Sequence, residues 1–161
     1  MMVDEAEKQI RARRKDIDYN THDYTIDFIV EKFKGNKFYI PVNDYQRNYV
    51  WKDVDKTRFI ESTLLGLPIP FMFFSKTEDG RLEIVDGAQR TKTLVSFIDN
   101  DFKLTNLRKL PALNDFYYND LPKYFKNRFD DTTMRIIGNS SAYILTKKHD
   151  VLAIFVVSEQ I

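Results

Sequence analysis

Apolar residues recur at every third or fourth position in three stretches of the chain, the spacing of amphipathic helices. This spacing predicts helices over 26–34, 54–65 and 88–98, with Thr25 and Asp53 as the N-caps of the first two. A weaker pattern predicts a further helix, which spans 121–129.

Short apolar runs between these helices predict strands. The predicted strands are Phe38–Pro41, Phe71–Ser75, Leu82–Val85, Phe102–Leu104 and Met134–Ile137. Glu78-Asp79-Gly80 separates two of these runs and is typical of a hairpin turn. The mixed order of helices and strands predicts an α+β fold.

Both ends of the chain differ from this pattern. Residues 3–15 have helical composition with few apolar positions, and we interpret residues 1–20 as an exposed N-terminal helix or arm preceding a domain over 21–161. This segment carries the basic cluster Arg11–Lys15, which fits either a solvated helix or an arm that binds nucleic acid. We favour the solvated helix, in which Glu7 and Arg11 can pair. Near the other end, Val151–Val157 is the most apolar run. It fits either a buried final element or a domain truncated from a longer protein.

Composition excludes several classes of function. The 161 residues carry a net charge of +1, which gives no global attraction to nucleic acid. Cysteine is absent, which excludes disulfides and thiolate metal sites and fits a cytoplasmic location. His22 and His149 are isolated, so no metal site is predicted. No apolar run approaches the roughly 20 residues that span a bilayer, and no membrane partner is expected.

The first candidate site is Ile84–Thr91, where an apolar run meets Asp86-Gly87 and a predicted helix opens. Asp86 and Gln89 fit a capping box, with Asp86 as the N-cap, and Gly87 suits a tight turn. Arg90 is disfavoured by the helix dipole by about 0.3–1 kcal/mol unless an anion binds there. We therefore favour an anion site over a surface salt bridge for this arginine.

The second candidate site is the segment Ile40–Trp51. Gln46 and Arg47 offer donors for a phosphate, whereas Tyr45 and Trp51 offer aromatic faces for a base or anchors for the loop. Taken alone, this segment favours the anchoring role. Motifs for P-loops, dinucleotide folds and serine hydrolases are absent.

Together these segments resemble one known family, the N-terminal domain of GmrSD-type modification-dependent restriction proteins, in the ParB/sulfiredoxin-like nuclease superfamily. The segments that carry the resemblance are Ile40-Pro41, Tyr45–Trp51, Ile60-Glu61-Ser62, Gly66–Pro70 and Ile84–Arg90. The resemblance implies a ParB-like domain with a small mixed sheet flanked by helices, in a prokaryotic defence protein.

The resemblance also implies a nucleoside triphosphate, alone or with Mg²⁺, as the cofactor. Asp86, Gln89 and Arg90 are the implied catalytic residues. The implied phosphate-binding residues are Gln46, Arg47, Gly87 and Arg90. DNA and a separate nuclease domain or subunit are the implied further partners.

Ala88 departs from the family pattern, which usually has glutamine at this position. Alanine has no side-chain amide, so binding through backbone N–H groups is expected to survive while hydrolysis is in question. Three hypotheses follow: a nucleotide-binding domain with or without NTP hydrolysis, a DNA-sensing module without turnover, and a degenerate truncated remnant.

Overall fold

The computed structural model describes residues 2–15, 19–41 and 50–139 of the chain. The helices in these ranges are α1 (Met2–Lys15), α2 (Ile26–Lys34), α3 (Asp53–Leu64), α4 (Ala88–Ile98) and α5 (Lys123–Asp130). The strands are β1 (Tyr19–Thr25), β2 (Phe38–Tyr39), β3 (Met72–Lys76), β4 (Leu82–Asp86) and β5 (Thr133–Asn139). Two 3-10 turns lie at Pro111–Leu113 and Tyr118–Asp120.

The five strands form one mixed sheet in the order β1-β5-β3-β4-β2. β3 and β4 form the predicted antiparallel hairpin, and β5 lies parallel to β3 and antiparallel to β1. β2 extends the sheet by pairing in parallel with β4. The α+β prediction is therefore confirmed, and β4 is an inner strand whose C-terminal end leads into α4.

The core lies between the sheet and the helices. Phe74 and Ile84 on the inner strands and Leu94 and Phe97 on α4 are almost fully buried. The ring of Phe97 meets the Phe129 ring edge-on at 5.6 Å between centroids. Such a pair stabilises the fold beyond the burial of its apolar area. Buried aromatic rings therefore contribute to core packing, and α4 packs against α2 and α3.

One strand prediction needs correction, and one strand was missed. Phe102–Leu104 is not a strand: Leu104 is fully buried but pairs locally, with its N–H 2.9 Å from the Phe116 carbonyl oxygen. β1 was not predicted, because its exposed and largely polar residues lack apolar alternation. An edge strand that pairs on one side only, here with β5, does not need that alternation.

Helix starts were predicted less well than helix bodies. α4 has the predicted bounds, and α2 begins directly after Thr25 as expected. The N-cap of α3 is Lys52 rather than Asp53, and Asp53 is its first helical residue. The Lys52 N–H lies 3.3 Å from the Asp55 carboxylate, so the capping contact is shifted by one residue from the predicted start. Val151–Val157 lies outside the described residues.

Candidate functional site

The site is built on a strand–turn–helix unit. β4 ends at Asp86, Gly87 has φ of +101°, and α4 begins at Ala88. A Cβ at Gly87 would lie 2.6 Å from Cγ of Met72, which is fully buried in β3. Position 87 therefore needs glycine for two reasons, the left-handed backbone and the close approach of β3.

The predicted capping box is wrong. The N-cap of α4 is Gly87, which has no side chain, and the structure shows no side-chain hydrogen bond at this cap. The positive φ of Gly87 moves the helix start one residue past Asp86, which stays in β4. The first turn of α4 contains no acidic residue, so its helix dipole is not offset by a carboxylate within that turn.

Arg90 on α4 contacts the end of β4 and the segment that precedes β3. Its Nη2 donates to the Asp86 carboxylate at 2.6 Å, and its Nη1 donates to the carbonyl oxygens of Pro70 and, at 3.1 Å, Phe71. Both carbonyls belong to the two residues directly before β3. The arginine that was unexplained from the sequence therefore has an internal structural role, and the salt bridge weighed against anion binding is formed.

Burial decides the electrostatics of this pair. The Arg90 side chain is 12% exposed and that of Asp86 is 38% exposed. Burial lowers the pKa of Arg90 from its ordinary value, and the Asp86 carboxylate partly offsets this effect. Arginine nevertheless stays protonated in proteins, so the pair is a half-buried ion pair with its carboxylate side towards solvent.

Gln89 contacts a different segment. Its Oε1 accepts the backbone N–H of Trp51 at 3.2 Å. The Trp51 indole in turn meets the ring of Phe59 on α3 edge-on, with 5.5 Å between centroids and 67° between planes. Trp51 therefore packs against α3, and its backbone is joined to the first turn of α4 through Gln89.

The predicted residues divide into two groups. Asp86, Gly87, Gln89, Arg90 and Trp51 lie together around the start of α4. Tyr45, Gln46 and Arg47 lie outside the described residues, so their predicted roles stay predictions.

The sequence pointed to one further acidic residue only as part of the Ile60-Glu61-Ser62 motif, with no role of its own. Glu61 on α3 is 6% exposed, and its Oε1 accepts the backbone N–H groups of Lys109 and Leu110 at 2.6 and 2.9 Å. Burial raises its pKa, but these backbone donors outweigh burial and hold it below the ordinary value. The only signal in the sequence was a carboxylate beside the inward-facing Ile60.

The described part of the chain offers no ready metal centre, because it contains no group of three or more potential ligands among His, Cys, Asp and Glu. Within the same residues, no helix has the length and apolar character that would let it cross a membrane.

A family model for the GmrSD restriction endonuclease, N-terminal domain, matches residues 26–160. The match includes the β3–β4 hairpin, the turn at Gly87 and α4. The chain belongs to this family. Comparison with curated proteins and with solved structures found no match.

Membership of the GmrSD N-terminal family places the chain in the context of restriction, a defence function. The match runs past the end of β5 at Asn139. The resemblance drawn from the turn at Asp86–Arg90 and the segment at Gly66–Pro70 is therefore confirmed. The structure adds that Arg90 joins these two segments through the Pro70 carbonyl.

Proposed function

We propose that this GmrSD-type domain binds a nucleoside triphosphate, with the phosphates at the first turn of α4. The observation that supports this most is the helix start itself: a glycine N-cap without a capping side chain, followed by a turn without acidic residues. N–H groups in the first turn of a helix have no partner within the helix, and they are suited to an anion.

The ion pair beside this turn is compatible with an anion. A free carboxylate at Asp86 would repel a phosphate, but its charge is balanced by Arg90 at 2.6 Å. The pair therefore adds little net charge, and the helix dipole and the backbone donors dominate the local field. Arg90 then serves by holding the turn in shape, with its guanidinium directed to Asp86 and the Pro70 carbonyl.

A divalent cation fits this site only as a companion of the nucleotide. Mg²⁺ in such sites keeps several waters and binds one or two carboxylates plus substrate phosphates. Among the described residues at the turn, Asp86 is the carboxylate that lies beside the start of α4, and its side chain is 38% exposed. Mg²⁺ bound there would reduce the charge of the phosphates, and Asp86 would fix its position.

We limit the proposal to binding and leave turnover out. Ala88 has no amide, Gln89 accepts the Trp51 N–H, and Arg90 is engaged with Asp86 and backbone carbonyls. Each of these side-chain contacts would have to change before the group could act on a phosphate. A nuclease activity would come from a separate domain or subunit.

Isothermal titration calorimetry with ATP, ADP, AMP and adenosine tests the proposal. We expect affinity to fall in that order, because each phosphate removed takes away charge at the helix terminus. Adenosine binding as tightly as ATP, or no binding of any of the four, would overturn it. Binding of double-stranded DNA alone, weakening steeply with salt, would favour the DNA-sensing alternative.

A further inference from the structure

We infer that Gln89 is a positioning residue that holds Trp51 beside the phosphate-binding turn, so that the indole contacts the base of the bound nucleotide. This inference rests on the proposed function. It assigns a role to the one glutamine of the turn and predicts that the site distinguishes a nucleotide from bare phosphates.

The hydrogen bond from Trp51 to Gln89 fixes where this aromatic residue lies. Gln89 is the second residue of α4, so the Trp51 backbone lies within one glutamine side chain of the first turn. The two residues are 38 positions apart in sequence. This contact therefore determines which part of the chain stands next to the helix start, and that part is aromatic.

Trp51 packs against an aromatic residue of α3. Phe59, which is 7% exposed, meets the indole edge-on and supports it from α3. Trp51 itself is half-buried. A supported, partly exposed indole is suited to stacking on a nucleobase, an interaction worth about 1–3 kcal/mol per base.

Gln89 suits positioning better than chemistry. Its side-chain carboxamide oxygen already accepts the Trp51 backbone N–H at 3.2 Å. A side chain held in this way sets the geometry of its neighbour. Removing its oxygen acceptor would release Trp51 while leaving the N–H groups of the turn in place.

The experiment uses the single tryptophan of the chain as its reporter. The emission of Trp51 and calorimetric affinity are measured with ATP and with inorganic tripolyphosphate, for the wild type and Gln89→Met. Lys92→Met is the matched control, because it places the same side chain at an exposed position of the same helix.

We expect ATP to change the Trp51 emission and tripolyphosphate to leave it unchanged, although both bind. Gln89→Met should weaken ATP about 5- to 150-fold and tripolyphosphate little, because the base contact depends on the position of Trp51. Lys92→Met should keep the ATP response of Trp51. A further variant, Gln89→Glu, keeps an acceptor for the Trp51 N–H and should preserve the near-ultraviolet circular dichroism of Trp51 without ligand.

Three results would overturn the inference, and the third is distinguishable from the first two. If ATP binds by calorimetry but leaves Trp51 emission unchanged, or if Gln89→Met weakens ATP and tripolyphosphate equally, the base contact is wrong and nucleotide binding stands. If neither ATP nor tripolyphosphate binds the wild-type chain, the proposed function fails and the inference fails with it.

Discussion

Compared with glutamine, a glutamate placed at position 88 should stabilise the fold and weaken nucleotide binding, two effects of opposite sign. Ala88 is the first residue of α4 and is partly exposed. Ala88→Glu and Ala88→Gln introduce side chains of nearly equal size, so any packing penalty is shared. The two variants differ by one negative charge, next to the proposed phosphate position.

The size of each effect can be worked out. A carboxylate in the first helical turn interacts favourably with the dipole by about 0.3–1 kcal/mol. A carboxylate about 6 Å from a phosphate is repelled by about 0.7 kcal/mol at a dielectric constant of 80 and about 2.8 kcal/mol at 20. We therefore expect ATP to bind Ala88→Glu about 3- to 100-fold more weakly than Ala88→Gln.

Urea unfolding and calorimetry on the same two samples measure both quantities. We expect the glutamate variant to unfold at the same urea concentration as the glutamine variant or a higher one. It should bind ATP more weakly, and the difference in ATP affinity between the two variants should narrow as the salt concentration rises. Equal ATP affinity in the two variants, with the stability difference present, would refute a phosphate at this turn. The glutamine variant also tests whether the usual family residue brings ATP hydrolysis.

Three further predictions concern the scaffold. Gly87→Ala should lower the free energy of unfolding by about 2–4 kcal/mol, because the left-handed backbone and the contact with Met72 both penalise a Cβ; an unchanged urea midpoint would contradict this. Because the pKa of Glu61 is lowered in the fold by backbone donors that outweigh burial, its stabilisation is present above a pH of about 4.3 and lost as pH falls through the folded pKa. Glu61→Gln should therefore flatten the stability profile in acid and destabilise the protein near pH 7 by about 1–3 kcal/mol. Tyr118→Phe removes a hydroxyl donor that lies 2.6 Å from the Asp130 carboxylate. Burial already raises the pKa of Asp130, and loss of this donor should raise it further. Urea unfolding should therefore show that the variant is destabilised more at pH 7 than at pH 4.

The elements with periodic apolar patterns were predictable from the sequence. α4 and the β3–β4 hairpin were found because α4 buries Leu94 and Phe97 at helical spacing and Gly80 allows the turn. β1 was missed because an exposed edge strand imposes no such pattern. Phe102–Leu104 was overpredicted, since burial of Leu104 in an irregular loop gives the same apolar signal as a strand.

The site was predictable in its members but not in its contacts. Arg90 was singled out because the helix dipole opposes it, and an anion was favoured as its partner over a surface salt bridge. Its partners are instead Asp86, four residues earlier, and the carbonyls of Pro70 and Phe71. Backbone acceptors about 20 residues away leave no signal in side-chain chemistry, so the connection appears only in the folded chain.

The phosphate position at the start of α4 is tested most directly by a nuclear magnetic resonance titration. Amide resonances of the ¹⁵N-labelled chain are followed as ATP is added. We predict that the largest shifts occur at the amides of residues 87–90, with a shift of the Trp51 indole N–H, and that tripolyphosphate reproduces the amide shifts alone. Saturable shifts confined to other residues, or no shifts at millimolar ATP, would contradict the assignment of this turn as the phosphate site.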